Sequence, residues 1–420
     1  MRSLLNLSRL LMRCGSTRCA GSASATSESG TLIQSYHDVL IVGQAAQISI
    51  RPIAPSEATS VQVDNARFIR YLKAIVEQAG AELVEVPPHL NRDDRWMQDE
   101  IEIGYSQAPG IEIPVVFDSP RNRGLAPLGE EWLLGPDFGY VTRSKGEPNS
   151  LDSFGNLEVS PPVTVDGVYY PFGRTIFGGA RPTAAAGRRV MSVVRELLYA
   201  QKVQPPIEIY SDWLFVGHID EFMTFVPSPT PKGFKLLLAS PEQCYCLLKE
   251  LEEVGRGDAI LMKGKKLYGK PAEVTVSQLL KNKTLAGHNY RYQEYIDWNR
   301  AVLKKELGLD EEDIIHLPAL FRPKTYSGRA ETYFPNMVNM IVLEKHLGIP
   351  KPYGPKVEGH CQFEAYTERV LGQLGLTCHF IDDWEPYFRE FGDIHCGTNT
   401  RRQPFADKWW EIKPPQSFDI

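Results

Sequence analysis

The sequence Ile394-His395-Cys396-Gly397-Thr398-Asn399 follows a helix pattern at 361–375, a strand pattern at 376–381 and a connecting loop. The glycine allows another group to approach the backbone closely, so we expect Cys396 to lie where a turn leads into a short strand. A single cysteine is commonly buried filler. Its chemical role therefore depends on the polar groups that the rest of the chain brings to it.

The same order of helix, strand and polar cluster occurs twice more. Residues 65–86 lead into Arg95-Trp96-Met97-Gln98-Asp99-Glu100, and residues 188–209 lead into Gly217-His218-Ile219-Asp220-Glu221. Each helix has apolar residues at helical spacing, and each strand is a short apolar run. This internal repetition predicts one α/β domain over residues 35–420, with the loops of its units meeting at one cleft. Further elements are expected as a first strand at 37–42 and helices at 240–255 and 336–348.

Composition sets limits on the partners. Hydrophobic residues make up 42% of the 420 residues and charged residues 23%, which is ordinary for a globular protein, and no apolar run is long enough to span a bilayer. Residues 1–27 hold four arginines and no acid, so 28–420 carry 46 − 4 = 42 basic against 52 acidic residues. A body with a net charge of −10 and no basic tract is expected to bind arginine-rich polypeptides or metal ions rather than nucleic acid.

Residues 1–27 have the composition of a targeting segment. Leucines are interspersed with the arginines and serine is plentiful, as in a mitochondrial transit peptide. A secretory signal is the alternative, although Arg9 interrupts its apolar core, and a disordered N-terminus is a third interpretation. We expect residues 1–34 to lie outside the folded domain.

The acidic run at 98–102 is a candidate cation site. As a strand it would project Gln98, Glu100 and Glu102 from one face and Asp99 from the other. Three oxygen donors on one face favour a hard cation, calcium above all, although a solvated acidic face is the alternative. Asp118-Ser119-Pro120-Arg121-Asn122 adds a second oxygen-rich turn, which taken alone is an ordinary Asx-type turn.

The cluster Gly217-His218-Ile219-Asp220-Glu221 offers acid–base groups. On a strand His218 and Asp220 would share a face, and a histidine beside a carboxylate keeps its charged form to higher pH. The alternative is a histidine that is only hydrogen-bonded to its neighbour. A reactive thiol needs a nearby cation such as imidazolium, and two aspartates could flank a planar guanidinium. Cys396, His218, Asp99 and Asp220 together indicate chemistry on a guanidinium carbon.

Five blocks of the sequence carry a family resemblance. They are Asp94-Arg95-Trp96-Met97-Gln98-Asp99-Glu100, Ser153-Phe154-Gly155-Asn156-Leu157-Glu158-Val159-Ser160-Pro161-Pro162, Gly217-His218-Ile219-Asp220-Glu221-Phe222, Phe334-Pro335-Asn336-Met337-Val338-Asn339-Met340 and His395-Cys396-Gly397-Thr398-Asn399. From about residue 35 to Trp410 the chain resembles the catalytic domain of the protein-arginine deiminases. The resemblance implies a five-bladed α/β-propeller of the amidinotransferase superfamily. It also implies calcium-dependent conversion of peptidyl-arginine to peptidyl-citrulline and ammonia in arginine-containing proteins. Vertebrate members carry two immunoglobulin-like domains ahead of this one, where we expect only a leader.

The resemblance also implies a role for each matched residue. Cys396 would be the nucleophile, Asp99 and Asp220 would hold the guanidinium, and His218 would protonate the departing ammonia. Trp96 would cover the aliphatic part of the substrate arginine, and Arg123 would hold its backbone. One calcium would be bound by Gln98, Glu102, Phe154, Leu157 and Glu158, and another by Glu100, Asp118, Ser119 and Asn122.

Two other functions stay open at this point. One is a deiminase or amidinotransferase for free arginine or agmatine, although Trp96 and Arg123 favour a peptide. The other is a calcium-responsive module that binds arginine-rich proteins without turnover, although a binder does not need the thiol of Cys396.

Overall fold

In the computed structural model, the part of the chain that the structure describes comprises residues 30–33, 47–50, 59–86, 90 and 94–412. The expected targeting segment 1–27 and the expected first strand 37–42 lie outside these residues. No helix in the described ranges has the length and apolar character needed to cross a membrane.

Five mixed sheets share one pairing pattern. In each, one strand pairs antiparallel with one neighbour and parallel with the other. Sheet 1 consists of Gln47–Ile50, Glu82–Glu85 and Thr398–Arg401; sheet 2 of Gly30–Ile33, Ile101–Ala108, Ile111–Asp118 and Gly139–Thr142; sheet 3 of Leu157–Val159, Thr175–Gly179 and Ile207–Tyr210; sheet 4 of Met223–Pro227, Phe234–Ser240 and Ile314–Pro318; and sheet 5 of Ile341–Leu343, His346–Pro350 and Thr377–Ile381.

Helices connect the parallel strands, because a parallel pair cannot be closed by a tight turn. Ser240 caps one of them by accepting the Gln243 N–H, with Pro241 at the first helical position, and Gly308 ends another in the left-handed conformation. In sheet 2 the connection between the parallel strands contains a π-helical turn, Leu128–Leu133, in place of an α-helix. The connecting α-helices are Thr59–Gln78 between strands of sheet 1, Ser192–Ala200 between strands of sheet 3, Pro241–Glu253, Val276–Lys281 and Lys283–Leu307 between strands of sheet 4, and Gln362–Gly372 between strands of sheet 5.

Short elements fill the connections. The two-stranded ladders are Val163–Val165 with Val168–Tyr170, Ile260–Leu261 with Val274–Thr275, Lys266–Leu267 with Lys270–Pro271, Phe321–Pro323 with Ala330–Thr332, and Lys356–Val357 with His360–Cys361. The short helical turns are Met97–Glu100, Ser150–Asp152, Phe154–Asn156, Ile219–Glu221, Glu311–Asp313, Phe388–Glu390 and Trp409–Glu411.

The repeated helix and strand units agree with the sequence analysis to within a few residues. The prediction of a helix at 336–348 is wrong. That segment contains the antiparallel strands Ile341–Leu343 and His346–Pro350. Glu344 has a φ of 51° at the turn between them. Asn336 uses its side-chain oxygen to accept the Val338 N–H, a local bond that competes with helix formation.

Packing of the first helix positions the last strand unit. Phe68, Leu72 and Ile75 of Thr59–Gln78 are buried against Ile341 and Ile381 of sheet 5. The apolar spacing that predicted this helix is thus its core-facing stripe. Sheet 1 also joins strands from the two ends of the described chain, and its strand Thr398–Arg401 begins two residues after Cys396.

Candidate active site

The three polar junctions predicted from the sequence converge on one buried thiol. Cys396 is 5% exposed, and its sulfur lies 3.4 Å from Asp220 Oδ2. Asn339 Nδ2 donates to the sulfur at 3.2 Å, and Asn339 Oδ1 accepts the Cys396 N–H at 3.2 Å. Gln98 N–H donates to the Cys396 carbonyl at 3.2 Å. These bonds fix the backbone on both sides of the sulfur.

The local structure of the two acidic junctions differs from the expected strands. Met97–Glu100 is a short helix with the strand starting at Ile101, and Ile219–Glu221 is a 3-10 turn. The alternating-face argument for both segments is therefore wrong, because it holds only for extended backbone. The turns instead bring Asp99 to His218 and Asp220 to the thiol.

His218 is fully buried between two oxygen atoms. Its Nε2 lies 2.8 Å from the Ser150 carbonyl oxygen, and its Nδ1 lies 3.4 Å from Asp99 Oδ1. Gly155 makes room for the ring, because a Cβ there would lie 2.5 Å from His218 Nδ1 and 3.0 Å from Asp220 Oδ2. The imidazole thus faces Asp99 rather than the thiol, unlike the thiol–imidazolium pair expected from the sequence.

Negative charge surrounds the sulfur. Burial, followed by the charges of Asp220 and Asp99, raises the pKa of the Cys396 thiol well above its usual value. His395 lies with its Nδ1 2.9 Å from Asp220 Oδ2 and its Nε2 3.4 Å from Glu158 Oε1. Burial lowers the pKa of His395, but the hydrogen bond and charge of Asp220 outweigh it and leave that pKa raised. The histidine of the nucleophile segment therefore pairs with Asp220 rather than with the thiol.

The predicted substrate-binding residues flank Asp99. Arg123 places Nη2 2.9 Å from Asp99 Oδ2 and Nε 3.0 Å from Asp94 Oδ2. Trp96 is half-buried and packs edge-on against Tyr387, with ring centroids 5.8 Å apart. Asp99 is thus already paired with a guanidinium, one that belongs to the chain itself.

The first predicted calcium set lines a cavity. Gln98, Glu102 and Glu158 all face it, together with His395. Gln98 Nε2 donates to Glu102 Oε2 at 2.8 Å and to the Phe154 carbonyl at 3.4 Å. Burial and the neighbouring charge of Glu158 raise the pKa of Glu102 to about 8. Leu157, the remaining member, is the first residue of the sheet 3 strand that contains Glu158.

In the second predicted calcium set, Glu100, Asp118 and Ser119 are buried together, whereas Asn122 is not. Glu100 and Ser119 are inaccessible, Asp118 is 2% exposed, and the Ser119 N–H donates to the Glu100 carbonyl at 2.8 Å. Both Glu100 carboxyl oxygens and Asp118 Oδ1 are buried without a hydrogen-bond partner. Burial, with Asp118 next, raises the pKa of Glu100 to about 9. Asn122 is exposed.

Both sets fit a hard cation. Unpartnered buried carboxyl oxygens are costly unless they are protonated or neutralised by a cation. In the described part of the chain, no three His, Cys, Asp or Glu side chains are grouped to hold a metal ion. Each set has two carboxylates, and amide, hydroxyl or carbonyl oxygens make up the rest. Such oxygen-only donor sets suit calcium, not zinc.

Two asparagines are functional residues to which the sequence analysis gave no role. Asn339 holds Cys396 as described above. Asn399 Nδ2 donates to Gln98 Oε1 at 3.2 Å and to the Ile101 carbonyl at 2.7 Å. Both occur in the sequence blocks that carry the resemblance, but their partners lie far away along the chain. Sequence spacing could not reveal those contacts.

A pair of buried acids supports the turn before the thiol. Asp383 and Asp393 are 0% and 3% exposed, and Asp393 Oδ2 accepts the Asn336 N–H at 3.0 Å. Burial, followed by the charge of Asp393, raises the pKa of Asp383 well above its usual value. Because Asp393 accepts a backbone N–H, we assign the shared proton to Asp383.

A buried thiol that contacts Asp220 and Asn339, with one histidine against Asp99 and another against Asp220, has the composition of a thiol-dependent active site. Residues 40–411 match the family model described as protein-arginine deiminase, and the chain belongs to this family. It is 50% identical to human protein-arginine deiminase type-4 over 363 residues, which are 86% of this chain and 54% of that protein. It is 51% identical to human protein-arginine deiminase type-3 over 353 residues, 84% and 53% of the two chains.

The chain therefore spans about half the length of the curated relatives it matches. Among solved structures, an agmatine deiminase from C. jejuni aligns with a TM-score of 0.49 at 10% identity, covering 92% of this chain and 100% of that one.

Asp383→Asn is expected to stabilise the protein increasingly as the pH rises. The stability of a fold that keeps Asp383 protonated is fully present below the unfolded pKa of about 4 and is lost as the pH rises toward the raised folded pKa. An amide has nearly the shape of a protonated carboxyl group but does not ionise. Chemical unfolding at several pH values measures the effect.

The control is Asp382→Asn, because Asp382 is partly exposed and lies 3.5 Å from Lys265 Nζ. Asp383→Asn should flatten the decline of the unfolding free energy between about pH 5 and pH 8, and Asp382→Asn should not. An unchanged decline in Asp383→Asn would show that Asp383 is not the protonated member.

Proposed function

We propose that this chain hydrolyses peptidyl-arginine to peptidyl-citrulline and ammonia in a calcium-dependent reaction. The observation that carries the proposal is the pairing of Asp99 with the guanidinium of Arg123 at 2.9 Å, beside a buried thiol. A carboxylate that binds one planar guanidinium has the chemistry to bind another. Membership of the deiminase family supports the same reaction.

The proposed reaction has two stages. The Cys396 thiol loses its proton to solvent when the substrate cation binds, and the thiolate attacks the guanidinium carbon, forming a C–S bond and a tetrahedral carbon. His218 donates a proton to the departing nitrogen, the C–N bond breaks, and ammonia leaves a covalent thiouronium on the sulfur. Water, deprotonated by His218, then attacks the same carbon, the C–S bond breaks, and citrulline and the thiol are released.

The substrate supplies the cation that the thiol lacks. Asp99 and Asp220 raise the pKa of Cys396, so a guanidinium between them offsets their charge and favours the thiolate. Arg123 must leave Asp99 for this to happen, and it then binds the backbone of the substrate. Trp96 covers the aliphatic part of the substrate arginine.

Calcium would be held by the two oxygen sets. Gln98, Glu102, Glu158 and the carbonyls of Phe154 and Leu157 form one set, and Glu100, Asp118, Ser119 and Asn122 form the other. When bound, the ion supplies positive charge that allows these carboxyl groups to ionise together. Gln98 must turn its amide so that the oxygen, rather than Nε2, faces Glu102. Asn122 must move inward from its exposed position.

We further propose that the five sheets are the blades of a five-bladed α/β-propeller. Their common pairing pattern supports this, and so does sheet 1, which joins strands from both ends of the described chain as a closed ring requires. A crystal structure should relate the sheets by successive rotations about one axis. Sheets stacked face to face would refute the propeller.

Ammonia release from a blocked arginine peptide is expected with calcium and not with chelator. Cys396→Ala should reduce it to background because the sulfur forms the covalent bond, while calcium binding by the folded variant is retained. Free arginine serves as the comparison substrate. Turnover of free arginine in preference to the peptide, or peptide capture without ammonia release, would contradict the proposal.

Glu102→Gln is expected to weaken calcium binding at one site by about tenfold or more, because it removes one of two carboxylates from that donor set. Isothermal titration calorimetry measures this without substrate. Glu112→Gln is the matched control, because Glu112 pairs with Lys408 on the surface at 2.9 Å. Equal calcium affinity in the two variants would remove Glu102 from the site.

A further inference from the structure

The segment before the thiol contains a strained residue. Phe391 follows the turn Phe388–Glu390 and has a φ of 74°, in the left-handed region. A bulky side chain is rarely found there, and such a conformation persists only where neighbouring groups hold it. Glycine would adopt it without strain.

A cluster of four aromatic rings, here called the aromatic cage, surrounds one lysine. Lys324 Nζ lies 3.3 Å from the ring centroid of Phe391 and 5.0 Å from that of Phe215. The centroids of Tyr268 and Tyr326 lie at 5.5 and 5.8 Å. All four distances are within the range in which a ring attracts a cation, and the ring of Phe391 is the nearest.

Ionic contacts fix the ammonium group at this point. Lys324 Nζ lies 2.6 Å from Glu331 Oε2 and donates to Tyr268 Oη at 3.3 Å. Glu331 is in turn paired with Arg322 at 2.8 Å. Lys324 and Glu331 are 9% and 8% exposed, so water screens their attraction only weakly. Because the ammonium group is itself held in place, its contact with the ring of Phe391 restrains that residue.

The backbone of Phe391 controls how its neighbour meets the active site. Gly392 lies so close to Trp96 that a Cβ would be 2.4 Å from Trp96 Cζ3. The same Cβ would be 3.1 Å from Cys396 Cβ. A change of φ at Phe391 would therefore alter the contacts of Gly392 with both Trp96 and Cys396.

We propose that Lys324 is a positioning residue for substrate binding. Its contact with Phe391 holds that residue in the left-handed conformation, which keeps Gly392 against Trp96 and Cys396. The identity of the substrate in this inference rests on the proposed function. The structural coupling between Lys324 and the segment 387–396 is independent of the proposed function.

The first test is Lys324→Met, which keeps the length of the side chain and removes the cation. The KM for a blocked arginine peptide is expected to rise about tenfold with kcat within about twofold, because a misplaced Trp96 weakens binding of the substrate arginine. Lys324→Arg should restore most of the loss. Arg369→Met is the control, because Arg369 makes a cation–π contact with Tyr366 at 5.1 Å on the helix Gln362–Gly372.

The double variant Lys324→Met/Phe391→Gly tests whether Lys324 acts by holding Phe391 at positive φ or only by stabilising the fold in general. Glycine needs no support at positive φ, so the double variant should recover the KM of the native chain. A double variant no better than Lys324→Met would overturn the inference. Lys324→Met with the native KM would also overturn it.

Hydrogen exchange of the segment 387–396, measured without substrate, distinguishes the inference from the proposed function. Lys324→Met should exchange faster than the native chain and Arg369→Met should not, with thermal unfolding confirming that both fold. Unchanged exchange in Lys324→Met would overturn the inference. Faster exchange in a chain whose native form releases no ammonia would support the coupling and refute only the proposed function.

Discussion

Buried negative charge is the constraint on which the site depends. Asp99, Glu100 and Asp220 are at most 6% exposed; the charges of Asp99 and Asp220 act on the thiol, and Glu100 interacts with Asp99. Removing a carboxylate from water is costly unless a cation, a proton or several hydrogen-bond donors compensate. The chain uses the first two of these means: Arg123 pairs with Asp99, His395 pairs with Asp220, and burial raises the pKa of Glu100 to about 9, which favours its protonated form.

The backbone around the thiol is held by neutral amides, which add no charge to this balance. Asn339 bonds both the sulfur and the Cys396 N–H, and Asn399 bonds Gln98. Asn339 both donates and accepts, and Asn399 donates twice, so the two side chains tie together segments from three different sheets. Replacing them by charged groups would disturb the pKa of every neighbouring carboxyl group. The positions of the reactive groups and their charge states are thus set by different residues.

The sequence was sufficient to predict the repeated units, and residues predicted for the site from separate segments lie close together in the structure. Periodicity placed Phe68 and Leu72 on the buried face of the first helix, and both are inaccessible. It failed at Asp99 and Asp220, where the backbone forms short helical turns, because such turns carry no periodic pattern and are set by tertiary contacts. The pairing of Arg123 with Asp99 joins segments that no local pattern connects. Likewise, the thiol was expected beside imidazolium, whereas its neighbours are a carboxylate and an amide.

This difference is consistent with the proposed recognition of a guanidinium. A permanent imidazolium beside Cys396 would favour the thiolate but repel a positively charged substrate. With Asp99 and Asp220 beside the sulfur, the pocket instead attracts cations and keeps the thiol protonated. On the proposed function, a bound planar cation would replace Arg123 at Asp99 and would form matched hydrogen bonds that a lysine ammonium cannot form in the same geometry. Under that proposal, selectivity for a guanidinium and activation of the sulfur would have one physical origin, because the same positive charge would offset both aspartates.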